Sequence, residues 1–271
     1  MGTFSADGKQ IVFVVGLGDD VVTQIATVNL DGTGSRVLTS TQDRKGTPSF
    51  SPDGKRLLFA KAGQERTSGK TRFADYDIYE LDIASKQETR LTEFGFFSAN
   101  PPAYLPDGER FIFSAEPLRN FQAYREQFQQ NTIFVMSKTN RDLKPAFTRG
   151  DHSSSPSISA YGTKILFLSR SNDLDNSNGE YFNFDLFLKT PDGITRLTKL
   201  ESVITQGSLS PDGSRVVFFS QKERPGVAFT VEQKHKMRNL EKDFMVMNSD
   251  GTDMKKIDLP APSRVIRVTR D

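Results

Sequence analysis

The stretch Phe50-Ser51-Pro52-Asp53-Gly54-Lys55-Arg56-Leu57-Leu58-Phe59-Ala60 recurs along the chain with variations. Close copies occupy residues 104–114 and 209–219, and more divergent copies occupy residues 4–13 and 158–167. The glycine of the motif falls at positions 8, 54, 108, 162 and 213, so the copies follow one another at spacings of 46, 54, 54 and 51 residues. A repeat of this length is typical of propeller and solenoid architectures.

Each copy has the turn chemistry of a β-hairpin. Proline presets a negative φ, aspartate can bond its own backbone and glycine accepts a positive φ, while the flanking runs alternate apolar and polar residues. A second hairpin follows in each repeat, as in residues 77–83 and 89–92, which read Asp-Ile-Tyr-Glu-Leu-Asp-Ile and Thr-Arg-Leu-Thr. Four strands per repeat predict an all-β fold, a β-propeller of four-stranded antiparallel blades. We expect five blades, with six as the alternative, in a single domain covering residues 1–271.

The combination of Ser-Pro-Asp-Gly with downstream Asp-Ile-Tyr and Arg-Leu-Thr resembles the WD40-like (PD40) repeat of TolB-like propellers, over essentially the whole chain. The repeat is also similar to those of prolyl-oligopeptidase-like peptidases. The chain departs from the family pattern because it has no tryptophan, and the position before the motif is occupied by Phe4, Phe50, Tyr104, Ile158 and Leu209. TolB carries an α/β domain before its propeller, which this sequence does not show, so we expect a TolB-like protein other than TolB proper.

The resemblance implies a non-enzymatic scaffold that binds a protein or peptide in the bacterial cell envelope. The expected location is the periplasm or another extracytoplasmic place. At its start the chain lacks the basic and apolar regions of a signal peptide.

The composition restricts the classes of partner. The chain has 36 Lys+Arg and 34 Asp+Glu, so it lacks the single-signed charge that drives binding to nucleic acid or to a membrane surface. It has no cysteine, which excludes disulfides, a thiol nucleophile and cysteine-ligated metals. No apolar run is long enough to span a bilayer. We expect a monomer.

The repeats differ mainly in one kind of connection. With the strands of a blade lettered a to d from the centre outward, the tight a–b and c–d turns lie at one face. The b–c connections and the d–a crossovers then lie at the other face, which we call the loop face. The long irregular segments are all b–c connections, at residues 61–76, 116–131, 170–183 and 221–243. Such insertions often mark the binding face of a repeat protein.

We expect a partner to bind on the loop face. The predicted binding residues are Asp43, Arg44, Phe94, Phe96, Phe97, Phe121, Tyr124, Arg125, Asp151 and His152. Three of them, Phe121, Tyr124 and Arg125, have helical spacing, and that side of the helix could instead pack onto the blades. A second helical segment, residues 231–242, is strongly basic, which is more typical of a solvated surface than of a site for an acidic partner.

No cofactor or metal is predicted. Asp173, Asp175 and Ser177 alternate as the oxygen ligands of a Ca²⁺ loop do, but Gly179 comes at the seventh loop position instead of the sixth. A polar turn is therefore the better interpretation of this segment.

No catalytic set is predicted either. His152 lies beside Asp151 and Ser153, but neighbours in sequence do not point at one another as a Ser-His-Asp triad requires. The Gly-x-Ser-x-Gly motif of α/β-hydrolases is absent from the sequence.

Two functions remain open at this point. The first is the non-enzymatic protein- or peptide-binding propeller. The alternative is a glycan- or small-molecule-binding or hydrolytic propeller, with acidic residues such as Asp43, Asp151 and Asp173 at the central mouth. A pair of convergent carboxylates would favour the alternative.

The C-terminal residues are predicted to complete the first blade. Residues 263–269 are strand-like, and only Thr3, Phe4 and Ser5 precede the first turn, which is short for a full strand. We expect the C-terminal segment to pair into the first blade and close the ring.

Overall fold

The computed structural model describes residues 2–17, 22–67, 70–116, 131–139, 142–147, 152–170, 184–200, 203–221 and 242–258. All regular elements in these ranges are β-strands, and they form five sheets of neighbouring antiparallel strands. The predicted fold class is confirmed as an all-β propeller with five four-stranded blades. The chain divides into two compact units, with the boundary between Pro156 and Ser157.

The first unit contains three blades in which consecutive strands are neighbours. The strands are β1 (Gly2–Phe4), β2 (Gln10–Leu17), β3 (Val22–Asn29) and β4 (Arg36–Val37) in blade 1; β5 (Arg44–Lys45), β6 (Ser49–Phe50), β7 (Arg56–Thr67), β8 (Lys70–Asp82) and β9 (Glu88–Arg90) in blade 2; and β10 (Ser98–Tyr104), β11 (Arg110–Glu116), β12 (Thr132–Ser137) and β13 (Lys144–Pro145) in blade 3.

Blades 4 and 5 have the same strand order, and the boundary between the units falls within the first strand of blade 4. The strands are β14 (Ser153–Ile158), β15 (Ile165–Arg170), β16 (Phe184–Thr190) and β17 (Gly193–Arg196) in blade 4; and β18 (Val203–Leu209), β19 (Arg215–Gln221), β20 (Lys242–Asn248) and β21 (Lys255–Ile257) in blade 5.

The repeated motif forms the tight turn between the first two strands of each blade. In blade 2 the Gly54 amide donates to the Ser51 carbonyl at 2.9 Å, and the Ser51 hydroxyl donates to Asp53 Oδ1 at 2.5 Å. The Arg56 amide then donates to the Ser51 hydroxyl at 2.9 Å. The five motif glycines have φ between 68° and 71°, in the left-handed region that favours glycine. The turn is thus held together by its own residues.

The first strand of blade 2 is interrupted. Both β5 and β6 pair with β7, and the Gly46 amide between them donates to the Ala60 carbonyl at 2.7 Å. Pro48 follows Gly46 and has no amide proton to donate to the sheet. Arg44, which was predicted to bind a partner on the loop face, therefore belongs with Lys45 to the sheet itself.

Apolar clusters join neighbouring blades within each unit. Blades 1 and 2 share a cluster that includes Val12, Ile25 and Phe59. A larger cluster between blades 2 and 3 consists of Leu58, Ala60, Ile78, Leu91, Phe96, Ala99, Tyr104, Phe111, Phe113, Ala115, Phe134 and Met136. In the second unit, a cluster of blades 4 and 5 is built around Leu166, Leu186 and Phe218. Phenylalanine therefore supplies much of the buried volume in a chain without tryptophan.

The first blade obtains a strand from the N-terminal residues. Gly2 pairs with Phe13, Thr3 with Val12 and Phe4 with Ile11, so a short strand, β1, does precede the first turn, and it includes Thr3 and Phe4 but not Ser5. Residues 263–269, which were predicted to close this blade, lie outside the described residues.

Candidate interaction surface

Asp77 fixes the crossover that joins blade 2 to blade 3. Its buried carboxylate accepts hydrogen bonds from Thr92 Oγ1 at 2.5 Å and from the Phe94 amide at 3.0 Å. The Gly95 amide donates to the same carboxylate at 3.3 Å, and Arg90 forms an ion pair with it at 2.6 Å. One buried carboxylate thus holds both the strand before the crossover and the first residues of the crossover.

The same arrangement occurs in blade 4. Asp185 is buried, accepts a 2.8 Å hydrogen bond from Thr198 Oγ1 and forms a 2.6 Å ion pair with Arg196. These residues belong to the Asp-Ile-Tyr and Arg-Leu-Thr parts of the repeat. The sequence showed the recurrence of these residue types but gave no role to them, and the structure shows that they brace the outer strands of a blade.

The three crossover phenylalanines predicted to bind a partner have different environments. Phe96 exchanges two backbone hydrogen bonds with Tyr76, of 2.8 and 2.9 Å. Its ring is buried 5.7 Å from the ring centroid of Phe113. Phe94 is partly buried against the same cluster, whereas the Phe97 side chain is 50% exposed. Of these three predicted binding residues, only Phe97 lies on the surface, because the hydrogen bonds with Tyr76 place Phe96 in the core.

The backbone of Phe97 is also fixed. Its amide donates a 3.0 Å hydrogen bond to the carbonyl of Glu116, the last residue of β11. The exposed ring thus stands on a crossover that is tied to blade 2 through Asp77 and to blade 3 through Glu116. An aromatic side chain with a fixed backbone can contact a partner without a large loss of conformational entropy.

Asp43 and Lys45 form a buried ion pair next to blade 1. Lys45 Nζ donates to Asp43 Oδ1 and, at 2.8 Å, to Thr41 Oγ1, and it lies 3.4 Å from Gln24 Oε1. Burial lowers the pKa of Lys45, and the hydrogen bond and charge of Asp43 offset this only in part. Burial acts to raise the pKa of Asp43, but the hydrogen bonds from Lys45 and Thr41 and the charges of Lys45 and Lys61 hold it below its ordinary value.

Lys61 extends this cluster within blade 2. Its Nζ lies 3.2 Å from Asp43 Oδ2 and 2.5 Å from Glu88 Oε2, and it stands 4.6 Å above the ring centroid of Tyr79. Burial lowers the pKa of Lys61, but the hydrogen bond to Glu88 and the charges of Asp43 and Glu88 outweigh it, so the pKa is raised. Asp43, which was predicted to contact a partner, thus forms ion pairs with two lysines of its own chain.

The remaining predicted residues divide between described and undescribed segments. Arg44 is exposed on β5, and His152 is half-buried just before β14. Seven residues lie outside the described residues, namely Phe121, Tyr124, Arg125, Asp151, Asp173, Asp175 and Ser177.

The described residues show neither a metal-binding cluster nor a membrane-spanning helix. In that part of the chain, no three His, Cys, Asp or Glu side chains come together as they would around a metal ion. No described helix is long and apolar enough to cross a membrane.

Residues 61–67 and 70–76 form the two strands of a β-hairpin arm. The expectation of an irregular loop here is wrong, because β7 and β8 continue past the blade and pair from Gly63 with Ala74 to Thr67 with Lys70. Asp75 has a positive φ of 57° where the register shifts between the blade and the arm. The arm projects from the same end of blade 2 as the bridge between Tyr76 and Phe96.

No family model matches the sequence, and no curated protein matches it. Solved structures do. TolB from Acinetobacter baumannii is 23% identical over 92% of this chain and 51% of its own, with a TM-score of 0.65. A putative TolB from Agrobacterium tumefaciens is 19% identical over 94% of this chain and 78% of its own, with a TM-score of 0.62. The chain therefore spans about half the length of the Acinetobacter protein.

The fold is shared with an enzyme as well. An oligogalacturonate lyase in complex with manganese is 12% identical over 94% of this chain and 63% of its own, with a TM-score of 0.57. At such identities the likeness shows the fold alone. The chain thus has the fold of TolB-like β-propellers.

Proposed function

We propose that this chain, a β-propeller with the fold of TolB-like proteins, is a non-enzymatic scaffold that binds a protein or peptide partner through its loop face. In the described residues, that face includes Arg44, Phe97, His152 and the arm of residues 61–67 and 70–76. Phe121, Tyr124, Arg125 and Asp151 are proposed to contribute to the same face.

The observation that carries the proposal is the fixed, exposed ring of Phe97. Large aromatic side chains supply much of the binding energy at protein interfaces when a partner covers them. Asp77 holds the amides of Phe94 and Gly95 before this residue, Glu116 accepts the hydrogen bond of the Phe97 amide, and the ring of the preceding Phe96 is buried in the core. A phenylalanine that only filled the core would be buried, whereas this ring is half exposed on a rigid crossover.

The alternative of a carbohydrate-binding or hydrolytic site has no comparable support in the described residues. Asp43, the one described member of its acidic set, is paired with Lys45 and Lys61. We propose in addition that the protein works outside the cytoplasm, in the bacterial cell envelope, which the resemblance to TolB supports. Fractionation of cells that produce the natural protein would test the location, and a purely cytoplasmic signal would contradict it.

The binding surface is tested by crosslinking at a single position. A photo-crosslinking amino acid replaces Phe97 in the full chain, and the protein is irradiated in an extract of the source organism. Phe4, which is 62% exposed beside the tight turn of blade 1, serves as a matched control position. We expect a discrete crosslinked partner from position 97 and none from position 4.

The variant Phe97→Ala gives a quantitative version of this test. Loss of a central aromatic contact weakens binding by about tenfold or more, so capture of that partner should fall accordingly, while Phe4→Ala should capture it as the unchanged protein does. Equal capture by Phe97→Ala and by the unchanged protein would rule out this surface.

A further inference from the structure

The outer edge of the arm has no strand partner among the residues that the structure describes. The second half of β8 is covered by β9, and Tyr76 is covered by its backbone bridge to Phe96. Between Lys70 and Asp75, no strand of the described residues pairs with this edge of β8. An exposed edge of this kind presents unpaired backbone N–H and C=O groups to an extended peptide.

The bridge at Tyr76 shows how an added strand would align. The crossover after β9 runs antiparallel to β8 until Phe96, and it then leaves to bond with Glu116. A strand that begins where Phe96 leaves would continue in the same direction along residues 70–75. Its first residues would lie near Phe97, so the proposed anchor and this edge of β8 are next to each other.

The sequence of the arm indicates the charge of its partner. Between Gln64 and Asp75 the arm carries three basic residues, Arg66, Lys70 and Arg72, and two acidic ones, Glu65 and Asp75, so its net charge is +1. Like charges on opposite strands destabilise pairing, which disfavours pairing between the arms of two copies. An acidic segment would experience attraction along the same edge.

We propose that an extended acidic segment of a partner protein adds to the sheet of blade 2 as an antiparallel strand along residues 70–75 of β8. The inference deepens the proposed function, because it rests on partner binding at the loop face and names how part of the partner is held. Backbone pairing gives the segment its alignment, and the basic arm selects its charge.

The test uses a labelled peptide of alternating glutamate and valine, with the lysine–valine peptide as its charge control. We expect the acidic peptide to bind the full chain and to slow hydrogen exchange of the amides between Lys70 and Asp75. The lysine peptide should bind about tenfold more weakly or not at all. Equal binding of both peptides would overturn the charge assignment.

Backbone pairing is tested by N-methylation of the peptide. Alternate residues of an antiparallel strand direct their N–H groups to the same neighbour, so methylation of one alternating set should abolish binding and methylation of the other should not. Equal tolerance of both patterns would exclude strand addition.

The protein side is tested with a charge-matched pair of double variants. Lys70→Glu with Arg72→Glu should weaken binding of the acidic peptide by about tenfold. Lys9→Glu with Lys55→Glu, which changes exposed lysines at the tight turns, should leave it unchanged. Equal thermal unfolding of the two double variants verifies that both are folded. If both double variants lost binding equally, the effect would come from the net charge of the protein and not from the arm, which would contradict the proposal.

These outcomes are separable from those of the proposed function. Crosslinking of a partner at position 97 without binding of the acidic peptide would reject strand addition and leave the proposed function standing. Peptide binding along β8 with unchanged partner capture by Phe97→Ala would support strand addition and reject Phe97 as the anchor.

Discussion

The Tyr104 hydroxyl donates a 2.6 Å hydrogen bond to Glu80 Oε1, and this bond ties the first strand of blade 3 to the third strand of blade 2. Lys138 Nζ lies 3.3 Å from the same oxygen. Burial, followed by the hydrogen bond and the charge of Glu80, raises the pKa of Tyr104 above its ordinary range. The phenol therefore remains a donor under all ordinary conditions, and the two blades are joined by a bond to a charged acceptor within an apolar cluster.

Removal of that hydroxyl should destabilise the protein measurably. A hydrogen bond to a charged group contributes about 1.5–3 kcal/mol, so Tyr104→Phe should lower the free energy of unfolding in urea by about that amount. Tyr161→Phe is the matched control, because Tyr161 is 78% exposed and should unfold as the unchanged protein does. Equal stability of the two variants would show that the bond contributes nothing.

The contacts of Asp77 predict that loss of Asp77 destabilises the protein more than loss of its ion-pair partner Arg90. Asp77→Ala leaves the amides of Phe94 and Gly95 and the hydroxyl of Thr92 without their acceptor, and it should cost about 3 kcal/mol. Arg90→Ala removes only an ion pair whose arginine side chain is 45% exposed, and it should cost about 1 kcal/mol or less. Urea unfolding of the two variants checks the order, and an Arg90→Ala variant as unstable as Asp77→Ala would contradict it.

Removal of one member of the buried pair of Lys45 and Asp43 should destabilise the protein more than removal of both. Lys45→Met should cost about 3 kcal/mol because it leaves the Asp43 charge buried without its closest partner. The double variant Asp43→Leu with Lys45→Met should recover at least half of that loss, because no uncompensated charge remains. A double variant less stable than Lys45→Met would contradict this account.

The pair of Asp43 and Lys45 should also make the stability of the protein depend on pH in the acid range, and the direction of this dependence follows from the pKa of Asp43. Because the pKa of Asp43 is lower in the folded protein, its contribution to stability is present above the ordinary value of 3.8 and is lost as the pH falls through the folded value. The stability difference between the unchanged protein and the double variant should therefore diminish on acidification below 3.8. Unfolding curves at neutral and acidic pH give the comparison, and a constant difference would argue against the assignment.

Asp212 provides a titration that can be followed directly. The Ser210 hydroxyl, the Ser214 hydroxyl and the Ser214 amide lower the pKa of this exposed carboxyl from 3.8 to about 2. The stability that it contributes is thus present above 3.8 and is lost as the pH falls through about 2. Ser210→Ala should move the carboxyl titration seen by NMR towards 3.8, and further than Ser214→Ala does. No movement in either variant would contradict the hydrogen-bond explanation.

The turn glycine and the arm glycine of blade 2 offer a matched comparison. A Cβ added at Gly54 or at Gly63 would meet no other atom within 4 Å, but Gly54 has a φ of +71°. Gly54→Ala should therefore cost about 1–2 kcal/mol from backbone conformation alone. Gly63→Ala should be neutral or slightly stabilising. Thermal unfolding distinguishes them, and a larger loss at Gly63 would contradict the prediction.

The blades were predictable from the sequence because their determinants are local. Ser51, Asp53 and Gly54 make a turn from neighbouring residues, and the alternating strands beside it indicate which side chains are buried. The arm was not predictable, because residues 64–72 are mainly polar and lack the alternation by which a half-buried strand is recognised. The backbone groups of the two arm strands pair with each other.

The candidate surface was predictable only in outline. Charged residues in a crossover are normally solvated, and nothing in the sequence indicated that Asp43 and Lys45 would be buried together. Phe94, Phe96 and Phe97 have equal hydrophobicity, so their different exposures follow from backbone contacts with Tyr76 and Glu116, which are distant in sequence. The Asp and Arg of the repeat carried a signal in their recurrence, since Asp77 with Arg90 and Asp185 with Arg196 make the same contact in blades 2 and 4.

The Ser-Pro-Asp-Gly turns also have a consequence for the order of folding. In the turn at Ser51 every hydrogen bond joins residues no more than five positions apart, so the loop that must close is very short. Short loops lose little entropy on closure and form early, whereas the contacts between Tyr104 and Glu80 require a longer segment to be ordered first. The first hairpin of each blade should therefore form before neighbouring blades join, and substitutions at Gly54 should slow folding while substitutions at Tyr104 should mainly accelerate unfolding.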